Sequence, residues 1–179
     1  VRPPYVIQNE SNFRLEMGLP LNTWGKLTMG GSFSNAKDKY YLNESIKVTD
    51  TADRTNFEAV TGSVNILSNT FNDKQYPTEG ISSCLSLNYI SGKEENVPGS
   101  TSNSTILQEF NHNFYLLKGN YDRYFKISRH FTLGLMAEGV FSNKKPFSNY
   151  VSTVLSAPSF NPIPHSKTLY LNEFHANKY

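Results

Sequence analysis

Four histidines, a lone cysteine and one oddly placed carboxylate are the side chains from which chemistry could be built. His112, His130, His165 and His175 are isolated and show no metal-ligand spacing, so each reads as an ordinary loop or turn histidine. Cys84 has no partner for a disulfide or a thiolate cluster, and within ISSCLSLNYI it reads as a small filler. No G-x-S-x-G elbow, H-E-x-x-H, Walker A or dinucleotide fingerprint occurs. The expectation is therefore no catalytic, metal or cofactor-binding residue and no cofactor. Three N-x-[ST] triplets, at Asn9, Asn43 and Asn103, are what a chain rich in Asn and Ser produces by chance.

Glu138 is the exception that asks for an explanation. It lies in FTLGLMAEGVF, the most apolar segment of the chain, on that segment's polar face. An unpaired carboxylate in a dry site is costly, so the residue calls for a partner such as Arg123, Arg129 or an inserted loop, or else for a hydrated lumen. Either role is structural support. Charged residues make up 18% of the chain, the net charge is +2, and Lys and Arg are scattered, which argues against nucleic acid as a partner.

The elements that must position these residues are strands. Period-two alternation recurs in NFRLEMGL, KLTMGGSFS, VTGSVNI, ISSCLSLNYI, NFYLLKGNYDRYF and FTLGLMAEGVF. In ISSCLSLNYI, for example, Ile81, Ser83, Leu85, Leu87 and Tyr89 oppose Ser82, Cys84, Ser86 and Asn88. Each segment has one apolar and one mostly polar face. No run approaches the ~20 apolar residues of a membrane helix.

The connections alternate in length. They are short around PLNTWG, NDKQYPTEG and KISRH, and long over about 35–54, 93–111 and 142–168. A soluble sandwich has no reason to lengthen every second loop, whereas an outer-membrane barrel has turns at one rim and long loops at the other. The expected fold is therefore all-β: an antiparallel up-and-down meander of six or seven strands, forming part of a transmembrane outer-membrane β-barrel. Tyr89, Tyr121, Tyr124, Phe125, Phe131 and Phe141 would supply its interfacial aromatic belts. Six or seven strands fall below the eight of the smallest bacterial barrels. VRPPYVIQNE lacks the features of a leader and HANKY stops in a strand-like pattern. The expectation is that residues 1–179 are a fragment completed by flanking sequence. The long loop after residue 142, with its stretch NYVSTVLSAPSF, is expected to fold over or into the barrel.

Several motifs carry a resemblance. Asp73 with Pro77, Thr78, Glu79 and Gly80 resembles the D…P-T-x-G turn of the BamA-like bacterial surface antigens, which opens a barrel strand from the periplasmic side. FTLGLMAEGVF is similar to the apolar strand that follows. APSFNPIPHSK to LYLNEFHANKY resembles the long loop leading to that family's Arg-Gly-aromatic tip, with Phe174, His175 and Ala176 at the tip position. Here His175 and Ala176 stand in place of the arginine and glycine, so a hydrogen bond from the tip would be weaker and pH-dependent. The later phrases, from NDKQYPTEG onward, are similar to barrels fused behind patatin-like phospholipase domains in Bacteroidetes-type bacteria.

The resemblance implies a bacterial outer-membrane location, with lipid and upstream catalytic or periplasmic domains of the same chain as partners. It implies a barrel segment that anchors or exports an upstream patatin-like acyl hydrolase. The serine and aspartate of such an enzyme have no counterpart here, so this segment itself is expected not to be an enzyme. Two rival readings are an outer-membrane assembly or secretion factor and a soluble all-β ligand-binding module. The soluble module requires the faces bearing Leu85, Leu87, Leu133 and Leu135 to be buried against another sheet.

Overall fold

The computed structural model describes residues 5–43, 46–102, 106–147, 153, 159–160 and 174–175. Its body is one antiparallel sheet with the strands in chain order: β1 (Ile7–Asn22), β2 (Gly25–Tyr40), β3 (Asp53–Asn69), β4 (Gly80–Val97), β5 (Gln108–Ser128) and β6 (Phe131–Ser142). Neighbours in sequence are neighbours in space, so the sheet is an open up-and-down meander with β1 and β6 at its edges. Two short strands, β7 (Ser159–Phe160) and β8 (Phe174–His175), pair with each other in a separate ribbon. No helix among the described residues is long and apolar enough to cross a membrane, a fact that does not bear on strands.

The strands run further than their apolar alternation suggests. Residues expected in the long connections continue the ladder instead: Asn35 to Tyr40 pair with Glu58 to Asp53, and Lys93 to Asn96 pair with Asn111 to Gln108. The loops shrink to residues 41–52 and 98–107. The backbone ladder needs no apolar side chain to persist, so where neither face is strongly apolar the alternation fades while the strand goes on.

The sheet's polarity is the reverse of a soluble one. An outer row runs Phe13, Leu15, Met17 and Leu19 on β1, then Phe33, Met29 and Leu27 on β2. It continues through Val60, Val64 and Ile66 on β3 and Leu87 and Leu85 on β4. Tyr115 and Leu117 carry it across β5, and Phe141, Leu135 and Leu133 across β6. Apart from the half-buried Leu27 these side chains are exposed, Phe13, Leu15 and Met17 at 70–72%. The opposite, inner face carries Thr28, Ser63, Asn65, Ser86, Asn88 and Asn120 and is the more enclosed of the two. A one-sided antiparallel sheet in water buries its apolar face; this one presents it. The band from Val60 to Ile66 spans six residue steps, about 20 Å at the usual rise.

The inner face is concave. A single cavity of about 480 Å³ touches residues of every strand, from Gln8 and Glu10 on β1 to Ser142 on β6. In a flat sheet, five inter-strand spacings would hold the edge strands about 24 Å apart. The small packed core lies on this face, where Ala59, Ile90 and Phe114 cluster with Phe57 and Leu116.

Gly80 opens β4 with a φ of +112°, and a Cβ there would lie 2.4 Å from the Thr70 carbonyl oxygen. Replacement by alanine therefore imposes both backbone strain and a clash. Gly80→Ala is expected to cost about 1–3 kcal/mol, measured as a shift of the urea unfolding midpoint in detergent. Gly62→Ala, whose Cβ meets nothing within 4 Å, is expected to leave the midpoint nearly unchanged.

Candidate functional site

The β3–β4 turn brings Asp73, Pro77, Thr78 and Gly80 into one compact unit, organised by two side chains that accept from the backbone. The Asp73 carboxylate accepts from the Gln75 N–H at 2.8 Å and the Tyr76 N–H at 2.9 Å. Those bonds, Tyr76's first, hold its pKa below the ordinary aspartate value. Asn72 does the wider closure: its Oδ1 accepts from the Thr78 and Glu79 N–H groups at 3.0 and 3.1 Å, and its Nδ2 donates to Thr78 Oγ1 at 2.8 Å. Phe71 packs edge-on against Tyr124 of β5, with ring centroids 5.4 Å apart, and ties the turn to the next hairpin.

The middle of the inner face is a polar ladder. Asn65 Nδ2 donates to Thr28 Oγ1 at 3.2 Å, Ser86 Oγ donates to Asn65 Oδ1, and Asn88 Nδ2 donates to Ser86 Oγ at 3.1 Å. Small polar side chains thus satisfy one another across β2, β3 and β4. Glu138 belongs to the same face, and its partner is Lys118 of β5, Nζ to Oε1 2.9 Å. The expected partners are placed elsewhere. Arg123 shares the outer row with Leu135 and stacks over Phe125, 4.3 Å from the ring centroid. Arg129 lies in the turn between β5 and β6. Parity is the reason: Arg123 is an odd position on a strand whose even positions face inward.

The long-loop end of the inner face holds the most enclosed charged group. Glu94 of β4 is fully buried, and its Oε2 lies 2.7 Å from Nε2 of His112 on β5, itself 9% exposed. His112 is thus a strand residue in a buried pair, not the loop or turn histidine that its isolation in the sequence suggests. Aromatic rings pack around it: Phe147 lies 4.8 Å from the imidazole and 5.1 Å from Phe57. Gly92 makes the seat, because a Cβ there would lie 2.7 Å from the Phe57 ring. Lys144, beyond β6, sits with its Nζ 4.0 Å from the Phe147 centroid and 5.7 Å from that of Phe114. Burial lowers its pKa to about 8, against an opposing pull from Glu94.

A second network beside this cluster sews the long loops together. Tyr40 and Thr55 share a 2.9 Å hydroxyl bond, and Thr55 reaches Asn96. Asp53, also buried, accepts from the Gly99 N–H at 2.8 Å and from the Thr101 hydroxyl at 3.0 Å. Loop 41–52 is bonded directly to the start of loop 98–107, the Thr51 N–H donating to Ser100 Oγ at 2.9 Å and the Ser100 N–H to Thr51 Oγ1 at 3.0 Å. No group of three or more His, Cys, Asp or Glu able to hold a metal occurs among the described residues.

Of the loop-tip residues, Phe174 and His175 form β8, in register with Phe160 and Ser159, while Ala176 lies outside the described residues. So does most of the stretch expected to fold over or into the barrel. Glu94, His112, Lys144 and Phe147 are not among the site residues that the sequence suggests. For the first two the sequence does carry a signal, since Glu94 keeps the parity of Ile90 and Gly92, and His112 that of Phe114 and Leu116. No protein-family model, curated protein or solved structure matches the chain.

Removing one side of the buried Glu94–His112 hydrogen bond strands the other. His112→Ala and Glu94→Ala are each expected to cost about 3–5 kcal/mol, with the double substitution costing clearly less than the sum in unfolding midpoints. Lys144 adds a pH dependence. Its pKa is lowered on folding, so its burial penalty is full below about pH 8 and is relieved as pH rises toward the ordinary value of 10.5. Stability should therefore gain with pH across that window, and Lys144→Met should remove that part of the profile.

Proposed function

We propose that the chain is a membrane-embedded segment of a β-barrel, its outer face against lipid and its inner face lining a wet lumen. The observation that carries this reading is the reversed polarity: a continuous exposed apolar band on one face of all six strands, backed by a hydrogen-bonded polar face on the concave side. The band's height of about 20 Å is close to the ~25 Å apolar belt of outer-membrane barrels. Strands that cross a bilayer must also leave no ladder edge unpaired in hydrocarbon. In this reading flanking strands therefore pair with β1 and β6 and close the barrel.

The soluble-module reading asks for a second sheet over Leu85, Leu87, Leu133 and Leu135, which are 47–55% exposed. The bacterial outer membrane as the location, and an upstream patatin-like phospholipase domain that the barrel anchors or exports, rest on the resemblance of the Asp73–Gly80 turn and the later segments. The barrel segment contributes support and passage in this account, and the hydrolysis belongs to the upstream domain.

Cysteine labelling of the full-length parent in its native membrane, in a Cys84→Ser background, tests the face assignment. Cysteines at Val64 and Leu87 should react with a lipid-soluble maleimide and resist a water-soluble one. Cysteines at Ser63 and Ser86 should show the opposite preference. Ready aqueous labelling at Val64 and Leu87 would sink the membrane reading. Arginine at Leu87, near the middle of the band, should cost about 2–4 kcal/mol if the site faces the bilayer midplane. The upstream hydrolase has its own check: a fluorophosphonate probe should label the native parent at a serine outside these residues, and a parent that takes up no probe contradicts it.

A further inference from the structure

At the short-turn rim the concave face ends in a hollow of about 640 Å³ between the β1–β2 and β3–β4 turns. That volume is in the range of small-ligand sites. Trp24, the one tryptophan of the chain, borders the hollow and is 58% exposed. Lys26, two residues on, and Leu67, its partner in register, belong to the same inner face. Trp24 keeps the parity of Lys26 and opens on the same hollow, so an aromatic belt against lipid does not account for it.

The polar groups around the indole are mostly donors, and two of them are held in place. Asn22 Oδ1 accepts from the Trp24 N–H at 2.9 Å, and Asn69 Oδ1 accepts from the Phe71 N–H at 2.9 Å. The Trp24 carbonyl accepts from the Asn69 N–H at 2.8 Å, which ties the first turn to the start of the second. With each amide oxygen engaged, the Nδ2 groups of Asn22 and Asn69 keep two N–H donors apiece without a partner among the described residues. Lys26 and Lys74 add two ammonium groups, neither of them in an ion pair among the described residues. Asp73, the carboxylate that borders the hollow, uses Oδ1 for its own turn through the Gln75 and Tyr76 N–H groups.

A ligand that suits this groove has a flat apolar face for the indole and many acceptor oxygens at its edge. Sugar rings have both, a face of C–H groups that meets the negative face of the indole and a rim of hydroxyl oxygens. The two ammonium groups ask in addition for negative charge. A phosphate would call for an arginine fork or a nest of free backbone N–H groups. Among the described residues no arginine borders the hollow, and the N–H groups of Trp24, Phe71, Gln75 and Tyr76 are already taken. We propose that this groove binds an oligosaccharide carrying carboxylate groups. Trp24 is the stacking platform, the Asn22 and Asn69 amides donate to ring and hydroxyl oxygens, and Lys26 and Lys74 pair with the carboxylates. The site lies on the inner side of the rim and stands apart from what covers the outer face.

The full-length parent, purified in detergent and labelled with 5-fluorotryptophan, provides the test. Its Trp24 resonance is the one missing from the fluorine spectrum of Trp24→Phe. Titration with tetragalacturonate should move that resonance saturably, and calorimetry of the same titration gives the affinity. Trp24→Ala should weaken binding on the order of tenfold, while Trp24→Phe, which keeps a ring, should retain most of it. The Lys26→Gln, Lys74→Gln variant should also lose on the order of tenfold, along with most of the salt dependence. Lys126→Gln, on the same face but near the β5–β6 turn, should change little.

A Trp24 resonance that stays in place would overturn the site. So would undiminished affinity in the Trp24→Ala and double lysine variants. Neutral cellotetraose bound as tightly as tetragalacturonate would overturn the pairing of the lysines with carboxylates. Inorganic phosphate that displaces the oligosaccharide at equal concentration would overturn the assignment to a saccharide.

Discussion

Register is the constraint on which everything else depends. Side chains alternate with a period of two, so a slip of one residue between any two strands would turn the whole apolar set of one strand to the opposite face. Five pairings in succession must keep parity, and they do. The outer rows are odd on β1 and β2, even on β3 and odd again on β4, β5 and β6. The two irregularities in the ladder fall beside turns, between Pro20 and Asn22 and between Lys126 and Ser128, clear of the apolar band. An uninterrupted band is therefore a property of the pairing as much as of the composition.

The two faces are held to different standards. The apolar face needs only size and hydrophobicity, and its members range from Val64 to Phe13 with little mutual interlocking. The inner face must satisfy every polar group it encloses. It does so with short side chains in its middle, where Thr28, Asn65, Ser86 and Asn88 pass hydrogen bonds across three strands. Toward the long-loop end it changes to aromatic packing around the buried, hydrogen-bonded Glu94 and His112. Such a pair is expensive to desolvate and adds little net stability. The Glu94–His112 pair is instead positioned to orient what packs on it: Phe57 below, Phe147 above, and the chain leaving β6 through Lys144.

The turns divide the labour between the rims in a similar way. At the short-turn rim, local geometry suffices, and Asn72, Asp73 and Gly80 set the β3–β4 connection from within it. At the other rim Asp53, at the start of β3, holds loop 98–107, and Thr51 and Ser100 join the two loops to each other. The polar ends of β2, β3 and β4 are there to carry those anchors and, beyond the apolar band, the exposed Lys37, Lys39 and Arg54.

By itself the sequence determined the all-β class, the period-two faces of the six strands and the Asp73–Gly80 turn, because these depend on near neighbours in the chain. Parity also put Glu138 on the polar face and Ser82, Ser86 and Asn88 with it. Tertiary structure alone decided what lies across from what. It put Lys118 rather than Arg123 or Arg129 beside Glu138, joined Glu94 to His112, and set Arg54 against Lys39. Each of these contacts crosses a strand pair, and its partner is chosen by register, which period-two alternation leaves free to shift by two residues without changing any face. The strand ends were hidden for a related reason: the backbone ladder continued into polar residues where side-chain pattern no longer recorded it.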